Sequence, residues 1–354
     1  MKNKALPWEH GSEFHWMDGS AQDNEDGGHP WGRTAVFLGS GRDALRSIIK
    51  IGHAINGWRK ILLPSFLCLE IAESIIKDGF DIEIYPDDPR LPIAAPPPKS
   101  DQAVFIVNTF GLREKWQRPP ECGGGVIEDH THDPWSQWAH ESRADYCFAS
   151  LRKTLPIPDG AVAWSPNGGA LPPVPELSSI HQQAALRKLG AMILKALYLQ
   201  GRAIPKQTFR GLVTAGERDI SAGEISAIEP ISTAIIDGMP CLSWRKRRRA
   251  NFLHLSRALA DLAGVSVLHP RDSMMCPFSV ILVCGDGNMR DTLKARLIER
   301  DVYPAVLWPL KKLSVAIPED SIALSERMLS LHCDGRYSIR DMDRVAALIS
   351  ESLP

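Results

Sequence analysis

Two side chains, Asp129 and Lys153, have the types and spacing to do chemistry together. Asp129 ends the run Val126-Ile-Glu-Asp129, and Lys153 follows Tyr146-Cys-Phe-Ala149 by four residues. Both runs are apolar and of strand length, so both side chains belong at the carboxyl end of a strand. In an open α/β sheet that edge is where ligands bind. A carboxylate and an amine brought to one crevice suit pyridoxal phosphate. The amine can form a Schiff base with the aldehyde, and the acid can hold the proton on the ring nitrogen.

Other residues supply parts of such a site. Gly39-Ser-Gly-Arg-Asp-Ala-Leu45 follows a strand-like stretch and opens a helix. The free N–H groups and dipole of a helix start favour a phosphate, which points to Ser40, Gly41 and Arg42. Ser150, in Ser150-x-x-Lys153, places a hydroxyl near the same phosphate. Ser-x-x-Lys also occurs in serine acyl-enzymes, but the Ser-Asp-Asn and Lys-Thr-Gly partners they need are missing. His130 and His132 form an H-x-H that would point both imidazoles one way at a strand end. No second ligand motif accompanies them, so a metallohydrolase is a distant alternative and no metal is expected. The run Arg245-Lys-Arg-Arg-Arg249 lacks interleaved aromatics and reads as a solvated face or an anion contact, not a nucleic-acid reader.

The elements that must position these residues alternate. Strand patterns lie at 35–38, 60–63, 82–85, 104–107, 125–128, 146–149 and 161–164, with helical patterns after Ser40 and near 68–78. Such alternation argues for an α/β fold, a mostly parallel sheet with helices on both faces. A helix-rich middle spans about 178–262, and a strand–helix–strand–helix pattern closes the chain, ending in a helix near 339–352. The expected division is an irregular N-terminal arm at 1–34, a large cofactor-binding domain at 35–240 and a smaller C-terminal α/β domain at 241–354.

Composition excludes several classes. With 354 residues, 44% hydrophobic and 23% charged, the chain is an ordinary globular sequence. A net charge of −1 gives no general attraction to nucleic acid or to a membrane surface. No apolar run approaches the ~20 residues of a membrane span. Seven scattered cysteines without a C-x-x-C pair read as reduced thiols, consistent with the cytoplasm.

The order of these motifs resembles the DegT/DnrJ/EryC1 aminotransferases, a family of fold-type-I pyridoxal phosphate enzymes, from about residue 35 to the end. Ser40–Leu45 matches the family's phosphate turn, and Leu63-Pro-Ser-Phe-Leu-Cys68 its Pro-Ser-aromatic segment. Val107-Asn-Thr-Phe-Gly111 resembles Val-His-x-Tyr-Gly, and Ile127–His132 resembles Glu-Asp-x-x-His/Gln. Phe148–Lys153 with Pro158-Asp-Gly160 resembles the Schiff-base segment, and Leu331–Ser338 the closing segment. The resemblance implies Lys153 as the catalytic lysine, Asp129 at the ring nitrogen and His132 near the ring hydroxyl or face. It also implies Ser150 with Ser40–Arg42 at the phosphate. Cys68 stands where the family often has a ring-covering aromatic or histidine, which leaves Phe66 or Asn108 to cover the ring. Ser-x-x-Lys is shorter than the family's usual spacing, and the Asn-Tyr-Arg that reaches a neighbour's phosphate is missing near Ile225–Glu229.

What this implies is a homodimer that uses small molecules, an amino donor such as glutamate and a keto acceptor, a sugar or secondary metabolite. The alternatives are a pyridoxal enzyme of other outcome (elimination, decarboxylation or carbon–carbon bond formation) and a non-catalytic protein on the same fold.

Overall fold

The computed structural model describes residues 6–17, 29–272, 274–312 and 315–353. Of the expected irregular arm, residues 1–5 and 18–28 lie outside the described residues. The elements are β1 (His10–Gly11), β2 (Val36–Leu38), α1 (Gly41–Asn56), β3 (Lys60–Pro64), α2 (Leu69–Lys77), β4 (Asp81–Tyr85), β5 (Gln102–Val107) and β6 (Gly125–Asp129). Then come α3 (Gln137–His140), β7 (Tyr146–Ala149), β8 (Ala161–Trp164), α4 (Ser179–Leu199), α5 (Lys206–Ala222), α6 (Pro230–Gly238) and α7 (Cys241–Ala258). The chain closes with β9 (Val265–Val267), β10 (Ser279–Cys284), α8 (Gly287–Ile298), β11 (Val302–Tyr303), α9 (Glu319–Arg327), β12 (Met328–His332) and α10 (Ile339–Ser352).

Seven strands form the main sheet in the order β2-β8-β7-β6-β5-β3-β4. Its strands pair in parallel from β4 to β7, and β8 runs antiparallel to both β7 and β2. The central strands β5, β6 and β7 are buried along their whole length, as strands covered on both faces must be. One face packs on α1 through Leu45, Ile48 and Ile49. The other packs on an indole-rich layer that includes Trp31, Trp135, Trp138 and Trp164. Six of the ten tryptophans, Trp116 and Trp244 among them, belong to this layer.

The second core surrounds a three-stranded antiparallel sheet, β12-β10-β9, covered by α7, α8 and α10. From β9 on the order is strand, strand, helix, strand, helix, strand, helix, richer than the expected strand–helix–strand–helix. The sequence pattern does not reveal α9 and β12, because Met328-Leu-Ser-Leu-His332 follows its helix without a turn residue. Where it is described, the N-terminal segment is attached to the C-terminal part of the chain. Its β1 pairs in parallel with β11, Trp8 donates to Asp341 at 2.8 Å, and Gly11 N–H donates to the Tyr337 hydroxyl at 2.8 Å. No helix among the described residues is long and apolar enough to cross a membrane.

Helix α7 ties the two cores together, and part of the basic run does so through a carboxylate of this chain. Arg245 and Arg248 both pair with buried Asp133 at 2.8 Å, and Trp244 donates to the Thr154 carbonyl at 2.8 Å. Two of the five cations are therefore anchors to the loop after β6, not a solvated face. A buried carboxylate bound by two guanidinium groups is the arrangement that tolerates desolvation.

Candidate active site

Register brings the chemistry together. Asp129 lies opposite Val107 of β5 and Phe148 of β7. The carboxyl ends of three adjacent strands thus converge, and Ser150 and Lys153 follow two and five residues beyond Phe148. Asp129 Oδ1 accepts from Thr131 N–H at 2.8 Å, and Thr131 Oγ1 accepts from Ser150 N–H at 2.9 Å. The loop bearing the acid and the loop bearing the lysine are in this way hydrogen-bonded to each other.

The lysine loop is also locked to the start of α1. Gly160 N–H donates to the Gly39 carbonyl at 2.8 Å, while Gly160's own carbonyl accepts from Arg152 N–H at 3.3 Å. Gly160 has φ +118°, a conformation that favours glycine. Ser40 caps α1, its hydroxyl accepting from Asp43 N–H at 3.2 Å. A Cβ on Gly41 would lie 2.9 Å from Ser150 Cβ, so only glycine lets the Ser150 side chain come against the helix start. Behind the turn, His181 and Asp159 pair at 2.8 Å, and Asp159 accepts further from Glu229 N–H at 3.0 Å and from the Ser232 hydroxyl.

One crevice is lined by Ser40, Gly41, Arg42, Cys68, Asp129, His132, Ser150 and Lys153 together. The Lys153 side chain is accessible within the crevice and surrounded there by protein atoms. Among the described residues its amine has no hydrogen bond or ion pair. The neighbouring Arg152 guanidinium, and then burial, hold the amine below the usual lysine range. Burial raises Asp129, which has no cationic partner among the described residues. His132 is stacked among Phe110, Phe278 and Trp308, with its Nδ1 accepting from Phe110 N–H at 2.8 Å. Burial lowers it to about 3, so the imidazole is neutral. Burial, then the charge of Glu70, raises the Cys68 thiol.

Two candidates lie elsewhere. Phe66 is fully buried against Phe110 and Trp308 and does not line the crevice. Asn108 is buried behind the strand end and does not line it either. Arg42 reaches the crevice, with its guanidinium engaged by Glu70 at 2.8 Å and Ser221 at 2.8 Å. Thr131, Arg152, Phe278 and Trp308 also line the crevice. Thr131 lies inside the Ile127–His132 segment and Arg152 stands beside the lysine, whereas nothing local in the sequence points to Trp308. Phe278 carried no sequence signal at all.

The H-x-H pair does not form a common site. His130 is fully buried beside Trp138 and Trp164, whereas His132 faces the crevice. The strand ends at Asp129, so the alternation that would align the two rings stops before it reaches them. His130 Nε2 instead meets Glu128 at 3.0 Å, and Ser142 donates to the same carboxylate oxygen at 2.6 Å. Cys147 completes a buried Glu128–His130–Cys147 group whose potential ligand atoms lie within 4.8 Å of one another. Burial opposes ionisation of Glu128, but His130 and Ser142 outweigh it and hold the carboxyl below its ordinary range.

No protein-family model matches the sequence, and no curated protein matches it. Solved structures do match. DesI in the presence of its TDP-sugar product is 18% identical with a TM-score of 0.56, over 90% of this chain and 80% of that chain. DesV of S. venezuelae in complex with a ketimine intermediate is 14% identical with a TM-score of 0.55, over 90% and 84%. A DegT DnrJ EryC1 StrS aminotransferase from Brucella abortus is 16% identical with a TM-score of 0.54, over 90% and 86%. The chain therefore shares the fold of these structures, that of fold-type-I transferases.

Proposed function

We propose that this chain is a pyridoxal phosphate-dependent aminotransferase, a cytoplasmic homodimer. It moves the amino group of an amino acid, glutamate in the first instance, to a keto sugar or a secondary-metabolite ketone. The observation that carries this reading is the meeting, in one crevice, of a lysine amine and a buried carboxylate that have no charged partner among the described residues, and of a helix start opened by Gly41 against Ser150.

The residues fit the cofactor. A buried carboxylate with no cation is costly and is completed by a protonated ring nitrogen, which Asp129 would hold and keep charged. The N–H groups at the start of α1 and the Ser150 hydroxyl would take the phosphate. His132, neutral and fixed by Phe110 N–H, would contact the ring or its hydroxyl. When bound, pyridoxal phosphate supplies the electron sink for negative charge formed at the donor's Cα.

The chain's own residues supply the rest. Lys153 is held below the usual lysine range, so a larger fraction of its amine is unprotonated near neutral pH. An unprotonated amine is nucleophilic and can accept a proton. Lys153 Nζ would take the proton from the donor's Cα and return it two bonds away, across the donor's nitrogen. It reverses the transfer for the keto acceptor. The aromatic wall of Phe278 and Trp308 limits water at the reacting atoms.

The test is a half-reaction. Purified protein with pyridoxal phosphate is mixed with single amino acids, and release of the matching 2-keto acid is measured with the absorbance of the cofactor. Stoichiometric keto acid from at least one amino acid, absent in Lys153→Ala, is the expected outcome. Release of carbon dioxide or an alkene in place of the keto acid would overturn transamination while keeping the cofactor.

A further inference from the structure

The crevice does not end at Lys153. On the far side of Arg152 and Lys153 a second chamber opens, also bounded by Phe278 and Leu307. It lies between the α4–α5 pair and the strands of the smaller sheet. The N-terminal segment closes it with Ser12, Glu13 and Phe14, held in place because Lys195 and Arg336 donate to the Glu13 carbonyl at 2.6 and 2.9 Å.

Charge in this chamber is unbalanced. Five cationic side chains face it (Arg152, Lys153, Lys188, Arg210 and Arg336) against two acids, Glu13 and Glu217. Arg336 is neutralised by Asp334 at 2.8 Å. Arg152 and Lys188 share one carboxylate, Glu217, and Arg152 Nε is buried without a hydrogen bond. Arg210 shares Glu9 with Lys195 and Lys206, and its own separation of 3.5 Å is the longest of the three. Its guanidinium lies 4.6 Å over the Tyr303 ring, and its side chain is 40% exposed. Cations that must share their carboxylates, and an unsatisfied guanidinium N–H, in a partly closed chamber leave a site for an oxyanion.

We propose that this chamber binds an oxyanion, a carboxylate or a phosphate, carried by the substrate at the end remote from its reacting carbon. Arg210 is its accessible anchor, and Arg152 and Lys188 its deep wall. The assignment to substrate rests on the reading of Lys153 above; the anion site itself does not.

Calorimetric titration of the purified protein, with and without pyridoxal phosphate, uses inorganic pyrophosphate and succinate as the two probes. Pyrophosphate binding marks a phosphate site and succinate binding a carboxylate site. In either case Arg210→Gln weakens the bound probe about tenfold or more, and Arg210→Lys recovers most of the loss. Ser150→Ala, at the other end of the crevice, leaves that affinity unchanged, and melting temperatures confirm that the variants are folded. Absence of binding by both probes overturns the proposal, as does binding that survives Arg210→Gln and is lost in Ser150→Ala. Binding that depends on Arg210 but persists in protein unable to take up pyridoxal phosphate keeps the anion site and removes the transferase reading.

Discussion

Gly41 and Ser150 come so close that a Cβ on the glycine would lie 2.9 Å from the serine Cβ. This contact joins the first turn of α1 to the loop that carries Lys153. It brings together two segments more than one hundred residues apart, the pair proposed to take the cofactor's phosphate.

Gly41→Ala therefore pushes the Ser150 loop off the helix start. The expected result is a loss of pyridoxal phosphate affinity of about tenfold or more, the cost of a lost hydrogen bond to a charged group. The melting temperature should change little, because the residue sits at a helix end. Equilibrium dialysis measures the first and a thermal scan the second. Unchanged affinity would separate this cradle from the phosphate.

Asp129→Asn keeps an oxygen for Thr131 N–H and removes the charge. Cofactor affinity should fall by about tenfold to a hundredfold, corresponding to about 1.5–3 kcal/mol for a hydrogen bond between charged partners. Thr131→Val, which removes only the tie to Ser150 N–H, should have a smaller effect. Fluorescence titration of both variants ranks them, and equal affinities for Asp129→Asn and the parent would remove Asp129 from the ring nitrogen.

Arg152 sets the charge state of its neighbour. Its guanidinium is the first cause of the lowered Lys153 amine, so Arg152→Met should raise that amine toward the ordinary lysine range. The pH at which cofactor capture is half-maximal then moves upward. Stopped-flow capture rates across pH measure it, and a profile that stays in place would assign the lowering to burial.

Three buried imidazoles make the fold acid-sensitive. Burial lowers His10 to about 4, and His132 and His332 to about 3. Below pH 6.5 the unfolded chain takes up protons that the folded chain refuses, so stability present above 6.5 is lost as pH falls toward 4. Each histidine contributes a slope of up to about 1.4 kcal/mol per pH unit in that window. Urea midpoints at pH 7, 6 and 5 should fall steadily, and less steeply in His10→Gln. A flat series would show that the unfolded chain gains no such advantage.

The positions that were legible in the sequence are those whose meaning is local. Asp129 and Lys153 close or follow apolar strands, and Ser40-Gly41 opens a helix, so chain order alone points to the carboxyl edge of a sheet. Phe66 was not legible. Its partners Phe110 and Trp308 come from distant segments, and they draw the ring into a core instead of over the crevice. Arg245 and Arg248 looked like a solvated face because Asp133, the acid that buries them, lies 112 and 115 residues away. The second chamber is assembled from the N-terminal segment, two helices and the smaller sheet. No single stretch of sequence contains its pattern.

The central claim is that Lys153 is the amine that holds pyridoxal phosphate. Borohydride reduction of the loaded protein, followed by proteolysis and mass mapping, tests it directly. One cofactor equivalent fixed on the peptide containing Lys153 is the result expected. No adduct, or an adduct on a different lysine such as Lys188, would contradict it.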